Sequence, residues 1–136
     1  MTTNFKIIDN YALKFNDKLI DIHNNFDFVG FDYPVKENQL KLFCRKSSGD
    51  WVNKKEPEQI VLVHNNVINL VVENQNGNSE DSITEITFYQ NNEPRNFGEL
   101  TLREKPNGND DILYIFESGK VIRIGCCEIL LEINGS

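Results

Sequence analysis

Residues 112–124 read ILYIFESGKVIRI, and this stretch decides the fold. Two short runs of β-branched, aromatic and aliphatic residues flank Glu117–Lys120, the pattern of two antiparallel strands joined by a tight turn. Similar runs recur from Phe26 to Ile133, and Asn, Gly, Asp or Ser fills most of the gaps. Asn and Gly tolerate the left-handed backbone of hairpin turns, so the chain predicts antiparallel strands connected locally. Further examples are Asn65-Asn66, Asn76-Gly77, Asn91-Asn92 and Asn107-Gly108.

The spacing of these runs predicts an all-β protein with about nine or ten short strands, arranged as an antiparallel β-sandwich or a flattened barrel. A length of 136 residues fits a single β-sandwich domain over residues 1–136. The N-terminal part has two interpretations. Phe5–Ile8 has the composition of a short strand, whereas Asn16, followed by Leu19, Ile20 and His23, could cap a short helix.

Two local irregularities are visible in the alternation. The apolar phase switches near Gly30, which predicts a β-bulge. Ile60–Val63 and Val67–Val72 are separated only by His64-Asn65-Asn66, so they form either two central strands or one bent strand. In either case His64 is predicted to be a partly packed turn residue.

The net charge of -7 argues against nucleic-acid binding, which requires clustered Lys and Arg. No signal peptide and no apolar run of membrane-spanning length is visible, so we expect a cytoplasmic protein that binds no membrane. Cys44, Cys126 and Cys127 lack the spacing of a disulfide framework or metal knuckle and are predicted to be reduced thiols. The adjacent pair would point to opposite faces of a strand.

No catalytic, metal-binding or cofactor-binding grouping stands out, and we predict no cofactor and no enzymatic activity. His23 and His64 lack a second ligand at a recognisable spacing. Asn107–Asp111 resembles the start of a calcium loop, but the twelfth position from Asn107 is Ser118 rather than the bidentate Glu that an EF-hand requires. A pair of carboxylates for glycoside hydrolysis would have to come from residues that nothing in the sequence marks.

Trp51 is the unusual aromatic residue, because it lies in the polar interval Ser47–Glu58. It has two interpretations: an anchor for a partner protein, or a side chain that folds back and closes one end of the sandwich.

The order of Phe26-Asp27-Phe28, Gln39–Leu42, Trp51 and Ile60–Leu70 resembles that of small all-β bacterial domains of uncharacterised or immunity-protein type from polymorphic-toxin systems. The resemblance is one of pattern over residues 24–133, and it supplies no functional residues. It implies a protein that binds and blocks a toxin, and an acidic surface would suit a basic nuclease as that toxin.

The sequence therefore predicts a non-enzymatic binding protein, most concretely an immunity-type inhibitor that recognises a basic protein partner. The predicted contacts lie in the longest polar loops: Asp50, Trp51, Glu80, Asp81, Asp110 and Asp111. The alternative is a small-ligand carrier with a cavity lined by the aromatic residues Phe28, Phe43, Tyr89, Tyr114 and Phe116.

Overall fold

The computed structural model describes residues 1–52, 54–74, 81–90 and 103–134. These residues form ten strands, one short α-helix (α1, Ile22–Asn25) and one 3-10 turn (Val35–Glu37). The strands are β1 Thr2–Thr3, β2 Lys6–Ile8, β3 Ala12–Phe15, β4 Lys18–Ile20, β5 Phe26–Asp32, β6 Gln39–Lys46, β7 Gln59–Glu73, β8 Ile83–Gln90, β9 Asp110–Phe116 and β10 Val121–Asn134. The predicted all-β class, the strand number and the short N-terminal helix are confirmed.

The main sheet has the order β5-β6-β7-β10-β9-β8, and all of these neighbours are antiparallel. β1 adds to β10 in parallel. The sheet curls, so that the strands at its two ends approach each other: the Phe28 N–H donates to the Asp81 carbonyl oxygen at 2.8 Å. The architecture is therefore a half-barrel.

β2, β3 and β4 form a separate three-stranded sheet. Its apolar residues belong to the same buried cluster as those of the main sheet: Phe5 leads into β2, and Ile7, Leu13 and Ile20 lie on the three strands. The small sheet therefore packs against the curled sheet and shares its core. Within the described ranges, no helix is long and apolar enough to cross a membrane.

Two turns of the small sheet explain why the predicted helix cap is wrong. Asn16 and Asp17 both have positive φ, 50° and 64°, and link β3 to β4 directly. Asp9 and Asn10, with φ of 49° and 61°, link β2 to β3 in the same way. Asn and Asp adopt this conformation more readily than other side chains, and two such residues in a row give the turn whose twist matches a hairpin. The helix begins later in the chain.

The hairpin predicted over residues 112–124 is present. Val121 pairs with Ile115 across Glu117–Lys120, and Gly119 has a φ of 93°. The predicted bulge is also present, as a register shift between Phe28 and Gly30. Asn65-Asn66, however, is not a hairpin turn. β7 runs through it as one strand with Asn66 at a φ of 55°, so the bent-strand alternative is confirmed.

Candidate functional site

Trp51 is presented to solvent in a fixed position. Its side chain is 70% exposed, yet its indole N–H donates to the Asn24 carbonyl oxygen of α1 at 2.8 Å. The ring lies directly over Gly49, because a Cβ there would be 1.9 Å from the ring atom Cζ3. Trp51 therefore does not close the end of the sheet. It is held by its polar edge and leaves most of its apolar surface uncovered.

The polypeptide on both sides of Trp51 is tied to the fold. The Ser47 N–H donates to the Asn25 carbonyl oxygen at 2.9 Å, and the Ser47 hydroxyl donates to Asp27 Oδ1 at 2.9 Å. Glu56, only 4% exposed, accepts through Oε2 from the Asp21 N–H at 3.2 Å and from the Asn25 side-chain amide at 3.0 Å. These bonds fasten the loop to both ends of α1.

Glu56 is the residue of this site that the sequence did not single out. From the sequence alone, Glu56 has the pattern of an ordinary surface acid among Lys54, Lys55 and Glu58. Its burial against α1 depends on a contact between segments more than thirty residues apart, which no local pattern encodes. Its partners at the N-cap of α1 and at Asn25 could be recognised only once the fold was known.

Carboxylates surround the Trp51 site, which consists of α1 and the loop Ser47–Glu58. Asp50 is exposed and directly precedes Trp51. Asp21 caps α1 by accepting from the Asn24 N–H at 2.9 Å, and Asp27 follows the helix on β5; both are partly exposed. Lysines are present as well, since Lys18 Nζ donates to the Lys55 carbonyl oxygen at 3.2 Å.

The carboxylate of Asp81 is held by hydrogen bonds within the fold. It accepts from the Ser82 N–H at 3.0 Å, from the Ser118 N–H at 3.2 Å and from the Ser118 hydroxyl. With its backbone bonded to Phe28, Asp81 joins β5 to the β9–β10 turn. Glu80, the neighbouring predicted contact, lies outside the described residues.

Contrary to the prediction, Asp110 and Asp111 do not lie in an exposed loop. They begin β9, and their residues are 5% and 2% exposed. Arg103 contacts Asp110 through both terminal nitrogens, at 2.8 and 3.1 Å, and Arg123 Nε contacts Asp111 at 2.7 Å. Two arginines therefore neutralise the carboxylates and bury them, and this pair is not brought together with Asp50 and Trp51.

His64 is fully buried in the middle of β7 rather than partly packed in a turn. Nδ1 lies 3.0 Å from the Leu40 carbonyl oxygen, which can only accept, so Nδ1 carries the proton. Nε2 then accepts from the Tyr114 hydroxyl at 2.7 Å. Burial lowers the pKa of His64 to about 4 and raises that of Tyr114. The imidazole is neutral, and both of its nitrogens are hydrogen-bonded.

The histidine and cysteine side chains do not form a metal-binding cluster within the described residues. Among the residues described, no group of three or more His, Cys, Asp or Glu side chains is placed to hold a metal ion. His23 Nδ1 lies 3.0 Å from the Ile83 carbonyl oxygen. The three cysteines are free: Cys44 and Cys126 are buried, and Cys127 is exposed, as alternation along a strand predicts.

Three of the five aromatic residues proposed to line a ligand cavity belong to the core instead. Phe28, Tyr114 and Phe116 belong to the buried cluster, and the Phe28 and Phe116 rings pack with centroids 4.7 Å apart. Two surface depressions, beside Asp111 and beside Lys14, are lined by none of the five aromatic side chains named for the carrier.

No family model, curated protein or solved structure matches this chain.

Proposed function

We propose that this protein is a non-enzymatic, cytoplasmic inhibitor of the immunity type, which binds a basic toxin protein through the Trp51 site. The observation that carries the proposal is the fixed, 70% exposed indole of Trp51. An apolar ring that size costs solvation free energy when left in water, and it becomes favourable when a partner covers it. Exposed aromatic side chains held in place lose little conformational entropy on binding.

Charge supports a basic partner. The chain carries a formal charge of -7, and Asp21, Asp27 and Asp50 lie close in sequence to Trp51 or to its hydrogen-bond partner Asn24. Rim carboxylates of this kind accelerate association with a positively charged surface and make the rate depend on ionic strength. Asp110 and Asp111 are not needed for this role, because their carboxylates are already paired with arginines.

The test uses the candidate toxin encoded beside the gene for this chain. The full chain is titrated with that toxin by calorimetry, and growth is followed in cells that express both proteins. Trp51→Ala should weaken binding by about 30-fold or more, as expected for an aromatic hot spot, and should abolish protection. Asp50→Asn should mainly slow association, with the effect disappearing at high salt.

Ile68→Ala is the matched control, because Ile68 is 77% exposed on β7 and is not part of the Trp51 site. It should leave the affinity within about twofold, as expected for residues outside the energetic centre. If Trp51→Ala binds as tightly as the unmodified chain, the Trp51 site is wrong even if inhibition is real. If no neighbouring gene encodes a basic toxin, or if co-expression gives no protection, the immunity function itself is wrong.

A further inference from the structure

Three lysines surround a surface depression of about 380 Å³ beside the β2–β3 hairpin. Lys6 and Lys14 are directly opposite each other in the antiparallel ladder, which places their side chains on one face. Lys105 comes from a distant part of the chain, brought there by a hydrogen bond from the Ile7 N–H to the Glu104 carbonyl oxygen at 2.9 Å. The fold thus assembles a lysine depression, defined by Lys6, Lys14 and Lys105.

The floor of the lysine depression is fixed. Lys105 Nζ donates to the Thr3 carbonyl oxygen at 2.8 Å and to Thr3 Oγ1 at 3.1 Å, which leaves one of its three protons for another acceptor. Asn4 donates to the Leu131 carbonyl oxygen at 3.2 Å and accepts from its N–H at 2.7 Å. Phe5, fully buried, closes the bottom. A ligand would meet a cationic group that is already positioned.

The lysine depression is not neutralised by the protein. In the described part of the chain, no ion pair includes Lys6, Lys14 or Lys105. Asp17, exposed in the β3–β4 turn, is the one carboxylate on the rim. Like charges facing each other across a ladder are unfavourable. Desolvation, and secondarily the charge of Lys6, lowers the pKa of Lys105.

We propose that the lysine depression binds a soluble small molecule through a phosphate group. Three ammonium groups around one depression match the several oxygens and the double charge of a phosphate better than they match a single carboxylate. The volume would accommodate more than the phosphate itself. An anionic membrane or a nucleic acid would approach a wide area of this surface, and the charge of -7 would repel it.

The probe is sodium pyrophosphate, added to the ¹⁵N-labelled full chain and followed by amide chemical shifts at constant ionic strength. Saturable shifts should be confined to residues 3–7 and 13–17 and to Glu104 and Lys105. Lys105→Gln and Lys14→Gln should each weaken binding by about tenfold or more, the effect of losing a charge-assisted hydrogen bond. Lys36→Gln is the matched control, because Lys36 is exposed in the 3-10 turn outside the depression; it should change affinity by less than twofold.

A variant that fails to fold is recognised because its amide shifts differ throughout the spectrum. In that case Lys14→Arg, which keeps the charge, replaces Lys14→Gln. Lys14→Arg should retain binding. Absence of saturable shifts at millimolar pyrophosphate would overturn the proposal. Equal weakening by Lys36→Gln would do the same, since it would indicate a diffuse charge effect. In a second arm, the chain is sedimented with phosphatidic acid vesicles; co-sedimentation without pyrophosphate binding would replace the soluble ligand by a lipid headgroup.

Discussion

The segments Asn107–Asp111 and Ser47–Val52 are similar in sequence but have opposite environments. Both are polar, contain one glycine and carry acidic side chains. In the first, Asp110 and Asp111 enter strand β9 and become buried against Arg103 and Arg123. In the second, Asp50 and Trp51 remain exposed, although the indole N–H of Trp51 donates to the Asn24 carbonyl oxygen. The difference is the presence of a cationic partner on a neighbouring element.

The two segments differ in role. Asp110 and Asp111 stabilise the fold, whereas Asp50 and Trp51 are available to a partner. A buried carboxylate beside an arginine is compatible with a stable fold when both members are present. When one member is removed, the other is left as an unpaired buried charge, which lowers the stability of the fold. An exposed aromatic ring contributes little to the free energy of unfolding, because most of its surface meets water in the folded state as well. Mutations in the two segments should therefore differ strongly in their effect on stability.

The largest effect is expected at Asp111. Asp111→Ala would leave the Arg123 side chain, only 17% exposed, without its carboxylate, and should lower the free energy of unfolding by about 3–5 kcal/mol. Asp50→Ala, in the exposed segment, should change it by less than about 0.5 kcal/mol. Urea unfolding of both variants measures the difference, and similar values for the two would remove the distinction between the segments.

A second effect should appear as a dependence of stability on pH. His64 has a pKa of about 4 in the folded protein, against about 6.5 in the unfolded chain, so only the unfolded chain binds a proton between these values. The stabilisation is present above pH 6.5 and is lost as pH falls toward 4, by about 3 kcal/mol. Urea unfolding across this range, compared with His64→Gln, isolates the contribution. A His64 ring resonance that titrates near pH 6.5 in the folded protein would contradict it.

Only a small effect on stability is expected at Trp51, the residue proposed to matter most for binding. Trp51→Ala should lower the free energy of unfolding by less than about 1 kcal/mol, because the ring rests on Gly49 and makes one exposed hydrogen bond. Thermal unfolding of the variant provides the measurement. A loss of several kcal/mol would show that the ring supports the fold, and reduced binding could then no longer be assigned to a missing anchor.

Local patterns were sufficient for most strands of the main sheet and for several of their connections. Alternation located β9, β10 and the Gly119 turn between them, and the change of phase at Gly30 located the bulge. Asn16 misled the prediction because Asn serves both as a helix cap and as a left-handed turn residue. The register that follows decides between them, and here Lys18–Ile20 pairs with β3.

The candidate sites depend on contacts that local patterns do not contain. Burial of Asp111 depends on Arg123 from the next strand, and the Trp51 site depends on Glu56 contacting α1. His64 was predicted to lie in a turn because Asn65-Asn66 follows it, yet β7 continues through Asn66 and places the imidazole beside Tyr114. Such pairings follow from strand order, which the sequence left open between a sandwich and a barrel.

The central position of β10 has a consequence for the order of folding events. β10 lies between β7 and β9, and its ladder with β7 joins Gln59 to Asn134 and Glu73 to Val121. Closing such long loops costs conformational entropy before any contact compensates for it, whereas the turns of three and two residues in β2–β3–β4 need almost no search. The small sheet should therefore form its hairpins early. Completion of the main sheet waits for β10, and until then β7 presents one unpaired edge to any neighbouring chain.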